Sequence, residues 1–149
     1  MRITVQVNRK EAFTLIEVLI VVVILAILAS IVIFAINPGR QIAQANNAQR
    51  DNDVKAILDA VYQYTVDNRG DYPAVIPTSP TSIGSDDLDI CEKLVPDYLT
   101  AMPFDPDQIG GGYTDCTDYN TGYTISLTGA RLTVSSPLAE LSEVITVTR

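Results

Sequence analysis

Histidine is absent from this 149-residue chain. With it go Ser-His-Asp and Cys-His catalysis, and every zinc site that needs an imidazole. A phosphate-cradling loop is missing as well, because the one glycine run, Gly110-Gly111-Gly112, has no Walker lysine and opens no helical pattern. Basic residues are scarce, 10 against 18 acids, for a net charge of −8. Arg2, Arg9, Lys10 and Glu11 together carry +2, so the chain beyond residue 12 carries −10. Phosphate backbones are held by clustered Lys and Arg, so no nucleic-acid site is evident. No internal repeat or low-complexity tract interrupts the sequence. An enzyme built from this chain would work with carboxylates alone, and its acids are scattered, so a carboxylate-dependent surface hydrolase has little to recommend it and the reading is of a protein that is not an enzyme.

What the chain does have is one long apolar run. From Val18 to Ile36 only Ser30 is not apolar, and about 20 such residues cover a hydrocarbon core roughly 30 Å thick. Counted from Phe13, the helix would be about 36 Å long. Its β-branched content lowers helix propensity in water, but lipid leaves a spanning backbone no other way to pair its polar groups. Arg2, Arg9 and Lys10 precede the run, which keeps the N-terminus cytoplasmic and exports the bulk of the chain. A secretory signal has a shorter apolar region with a small-residue cleavage site after it. Here Asn37-Pro38-Gly39 follows, a helix-disrupting triplet, with Pro38 and Gly39 as the break.

Lys10-Glu11-Ala12 followed by Phe13-Thr14-Leu15-Ile16-Glu17-Val18-Leu19 resembles the start of a type IV pilin or a type II secretion pseudopilin. The resemblance implies that a prepilin peptidase cuts between Ala12 and Phe13 and N-methylates Phe13. The family usually has Gly before the cut; Ala12 keeps the small size, so cleavage is expected. It also implies an assembly role for Phe13 and Glu17, in which Glu17 of one subunit pairs with the Phe13 amine of its neighbour. The motif covers Ala12 to about Ile36, and the remainder is similar only in layout.

That remainder, 37–149, reads as one exported domain. Ile42, Ala45, Ala48, Val54, Ile57, Leu58, Val61 and Thr65 recur at helical spacing and predict an apolar face on a helix over about 40–69, capped by Gly70. Gln49, Arg50, Asp51, Asp53, Lys55 and Asp59 read as the solvated side. If the break only kinks the chain, the two helices form one spine. Residues 70–112 read as loop, with a short helix within Asp86 to Leu99. In 113–149, alternation on either side of Gly129-Ala130 predicts an antiparallel hairpin, and Val144 to Thr148 a C-terminal strand. The fold class is therefore α+β: a long N-terminal helical spine, transmembrane then amphipathic, with a small antiparallel β-sheet head, type IV pilin-like. The domains are a leader at 1–12, a transmembrane and assembly helix at 13–36, and the head at 37–149.

By resemblance the chain is a structural subunit of a pilus-like filament, a single-pass membrane protein first and part of an extracellular or periplasmic fibre later. Its partners would be copies of itself or related subunits, the prepilin peptidase, and the membrane assembly machinery. A minor pilin or a secretion pseudopilin fits equally well, and a membrane-anchored adhesion domain that never polymerises is the alternative of another class. Cys91 and Cys116, the only cysteines, lie in the exported part, where an oxidising exterior favours a disulfide over two separate thiols. Asp105, Asp107, Asp115 and Asp118 are candidate Ca²⁺ ligands in a Gly-rich loop, as in some pseudopilins; solvated loop acids are the plainer account, since the spacing fits no EF-hand. No other cofactor is implied.

Overall fold

The computed structural model describes residues 13–107 and 112–149, side chains 34–36 excepted. The expected leader with Ala12, and residues 108–111 with Gly110 and Gly111, lie outside the described residues. The chain divides at Pro38/Gly39 into two compact units.

The first unit holds α1 (Leu15–Ile36). Thr14 caps it: its Oγ1 accepts from the Glu17 N–H at 3.3 Å, occupying one of the orphan donors of the first turn. Ser30, the one polar residue after Glu17, turns its hydroxyl back onto the Ile27 carbonyl at 2.7 Å, so it asks nothing of its surroundings. Asn37 ends the helix in the left-handed region, φ 46°.

The second unit is an α+β head. Its main helix, α2 (Pro38–Asp67), opens on Pro38, at the one helical position where a missing N–H costs nothing. It closes with the Gly70 N–H bonded to the Thr65 carbonyl at 2.8 Å, Gly70 standing at φ +101°. Then follow β1 (Thr81–Gly84), the single turn α3 (Cys91–Leu94), β2 (Gly112–Asp115), β3 (Asp118–Thr128), β4 (Arg131–Ser136) and β5 (Ile145–Thr148). The sheet runs β1-β3-β4-β5, with β2 also paired to β3, antiparallel throughout. Thr128 faces Arg131 across the two-residue turn Gly129-Ala130. Gly129 takes φ +63° there, which a side chain would resist. A Cβ on Gly84 would stand 3.1 Å from the Tyr119 carbonyl, a tight approach that favours glycine at the bulge in the β1–β3 pairing.

Strand alternation sends Tyr119, Tyr123, Ile125, Leu132, Val134 and Ile145 into one core with Val54, Ile57, Leu58 and Val61 of α2. The other face of the sheet carries hydroxyls in register: Ser82 opposite Thr124, Thr124 opposite Ser135, Ser135 opposite Thr146.

Two expectations need correction. The stretch 70–112, read as loop with a short helix within 86–99, contains that helix as α3. It also contains β1 and reaches the first residue of β2, because β3 offers ladder positions that these two short, weakly patterned strands take up. The buried stripe of α2 also begins elsewhere. Ile42, Ala45 and Ala48 are exposed; Ala43, Asn47 and Arg50 are buried and continue the line of Val54, Ile57 and Val61. Arg50, expected on the solvated side, is fully buried, since carboxylates brought from two later segments neutralise it.

Candidate functional site

Two places combine polar chemistry with an unusual environment. The first is the start of α1. The stretch Leu15–Ile33 has a mean hydropathy of 3.3, and none of it is covered within this chain. Its apolar side chains face every direction, so no single stripe marks a core-facing side. Phe13, four-fifths exposed, stands just before the helix, and Glu17 lies in the first turn, the only acid of α1. The helix N-terminus, with its positive end of the macrodipole, is a favourable place for that carboxylate.

The second is a polar knot in the head. Arg50 uses all five guanidinium N–H donors. Nε and Nη2 grip Asp105 bidentately at 2.7 and 3.0 Å, Nη2 also reaches Asp107 at 3.0 Å, and Nη1 divides between Glu140 at 2.8 Å and Asn47 at 2.9 Å. The bond to Asp105, then those to Glu140 and Asp107, hold the guanidinium's pKa above its ordinary value despite the opposing cost of burial. A second layer fixes the acceptors. Asn46 donates to Asp107 and Glu140, Asn47 to Glu143 and the Glu140 carbonyl, and the Asp107 N–H to Asp105. Beside the knot the buried Tyr123 hydroxyl donates to Asp53 at 2.8 Å. Burial, then the bond to Asp53, pushes Tyr123 up, and burial also raises Asp53 against the lowering effect of the Tyr123 and Gln49 bonds.

The four calcium candidates do different work. Asp105 and Asp107 are taken up by Arg50. Asp115 accepts from the Thr117 hydroxyl, the Thr117 N–H and the Asp118 N–H, which fold the β2–β3 turn and hold its carboxyl below the usual range. Asp118 is exposed at the start of β3. Among the described residues no group of three or more acids, cysteines or histidines is placed to hold a metal ion. Cys91 and Cys116 are joined as a disulfide that ties α3 to the β2–β3 turn. Next to it the Tyr119 hydroxyl donates to Asp89 at 2.8 Å and accepts from the Ile90 N–H at 3.1 Å.

Sequence reasoning passed over Arg50, Asn46, Asn47, Glu140 and Glu143. Counting back from Val54 in steps of four and three lands on Arg50, Asn47 and Ala43, so the helical period pointed to them although their polarity argued otherwise.

Residues 7–35 match the family model described as the prokaryotic N-terminal methylation motif. Neither a curated protein nor a solved structure matches the chain. The matched segment contains Phe13, Glu17 and nearly all of the uncovered apolar helix, ahead of an α+β head with a small antiparallel sheet. The segment thus carries a prepilin-type N-terminal cleavage and methylation motif, consistent with the type IV pilin and pseudopilin family.

Proposed function

We propose that this protein is a structural subunit of a type IV pilus-like filament. A prepilin peptidase would remove residues 1–12 and methylate Phe13, and the assembly machinery would then draw α1 out of the membrane into the fibre. The observation that carries this reading is the methylation motif lying on a helix that is apolar all round. A plain anchor in lipid also needs apolar side chains in every direction; a helix that is to sit among copies of itself needs, in addition, a device that fixes their register.

Glu17 supplies that device. In lipid it stands close enough to the helix end to reach the interface and keep some water. In a fibre core that water is gone, and the carboxylate needs a cation. Cleavage creates one, the Phe13 amine, still positive after methylation. A buried pair of this kind contributes little over an apolar contact, but a mismatched one is costly, so it selects one axial register.

The test is to shear cells, image the released material, and sequence the subunit within it. Filaments whose subunit begins at methylated Phe13 are expected. A subunit found only as a membrane-bound monomer, or assembled with Met1 still attached, would overturn the reading.

A further inference from the structure

The sheet ends in an open edge. β5 is the last strand in the order β1-β3-β4-β5 and among the described residues is paired on one side only, with β4. Leu132 and Arg149 exchange both backbone hydrogen bonds, at 2.8 and 2.9 Å. In an antiparallel ladder bonded and non-bonded pairs alternate. Val147 and Ile145 therefore also turn their N–H and C=O toward β4, and Thr148, Thr146 and the preceding Val144 turn theirs outward.

Natural edges are blunted by charge, proline, a bulge or a covering loop. β1 is covered in this way, since Leu88 bonds to Ser82 and Gly84 along its outer side. Among the described residues β5 has none of these. Its residues Ile145, Thr146, Val147 and Thr148 are all uncharged and β-branched, and Val144 beside them is 88 % exposed.

From this edge we infer that β5 is a self-association strand, and that its partner is β5 of a second copy of this chain, paired antiparallel about a two-fold axis. Three features of a single register fit this occupant. Symmetry with outward-facing groups requires even-numbered residues to meet even-numbered ones, and the register that uses the whole of 143–149 sets Thr146 opposite Thr146 of the second copy, with Val144 opposite Thr148. That register brings Ile145 against Val147 on the α2 side of the sheet and prolongs the hydroxyl row on the other. It also sets Glu143, which accepts from Asn47, opposite Arg149, which pairs with Asp59 and lies over Tyr62. Both are exposed and each can turn to the second copy, so two chains of net charge −8 meet with opposite charges at both ends of the pairing. An extended peptide of unrelated sequence would satisfy the backbone but has no reason to match the charges.

The contact is short, with about six backbone hydrogen bonds, well below the area of a standard stable interface. It is a weak contact, suited to heads already held near one another in a membrane. It stands apart from the filament reading, because subunits that never assemble retain the same edge.

Cysteine pairing tests the register in the full chain, reconstituted in membranes. Thr146→Cys places two thiols directly opposite each other, within the Cα separation a disulfide spans. Under mild oxidation Thr146→Cys is expected to form dimers about tenfold faster than Thr148→Cys, whose own copies lie four residues apart in this pairing. A mixture of Thr148→Cys with Val144→Cys should cross-link like Thr146→Cys. Equal rates for Thr146→Cys and Thr148→Cys would mean unregistered collision and would overturn the proposal, as would no dimer from Thr146→Cys. Cross-linking of Thr146→Cys that survives Glu143→Arg but is lost in Glu143→Arg with Arg149→Glu would likewise refute the assigned register, because the double reversal restores complementarity.

Discussion

Replacing Tyr123 by Phe removes one oxygen from the centre of the head and leaves the ring in place. The ring is fully buried and its hydroxyl donates to Asp53 at 2.8 Å. A hydrogen bond to a charged group contributes about 1.5–3 kcal/mol. Asp53 is only half-buried and keeps the bond from Gln49, so the lower end, about 1.5 kcal/mol, is expected at neutral pH. The loss should depend on pH in two directions. The carboxyl of Asp53 is raised above 3.8 by burial, so it favours the folded state below that pH and loses this contribution as pH rises; the tyrosine bond limits the loss. The cost of Tyr123→Phe therefore shrinks as Asp53 takes up its proton. Tyr123 is raised above 10.0, so its contribution is complete below pH 10 and disappears as pH climbs beyond it. The variant's alkaline loss of stability should be shallower, with Tyr119, raised by burial, left to carry its share. Urea titration of the full chain in detergent measures this through near-ultraviolet tyrosine dichroism, which reports the head alone because all seven tyrosines lie between Tyr62 and Tyr123. A neutral-pH change near zero, or an alkaline limb superimposable on the wild type, would refute the reasoning.

Glu17→Val should insert and be processed normally yet leave subunits in the membrane, read as a lowered ratio of filament to membrane subunit; a wild-type ratio would sink the pairing role. Reduction of Cys91–Cys116, which closes a loop of 25 residues, should lower the stability of the head by about 3 kcal/mol. The same titration with and without reductant checks it, and identical midpoints would count against any stabilising role.

The legible parts of the fold were those whose signal is local. α1 is announced by composition alone, and the β3–β4 hairpin by alternation around Gly129-Ala130. β1 was hidden because Thr81-Ser82-Ile83-Gly84 offers one buried apolar side chain after Pro77 and Pro80, and its strand character comes from β3 beside it. The N-terminal motif could be read from neighbouring residues. The knot around Arg50 could not, because its acids are 55, 57 and 90 residues further along. Asp105 and Asp107 read from the sequence as solvated loop acids, or more weakly as calcium ligands, because spacing along the loop says nothing of a guanidinium arriving from a helix.

Those same separations govern the order in which the head can fold. Contacts between residues far apart in sequence must wait for the intervening chain and slow the search. Arg50 is made early, yet one wall of its enclosure is Glu140, and the strand that follows is pinned by the bonds between Leu132 and Arg149. Until then Nη1 of Arg50 has only Asn47 of its own helix and has to remain partly hydrated, which keeps the helix from settling onto the sheet. A chain emerging N-terminus first thus holds its head open until Glu140 to Arg149 are out.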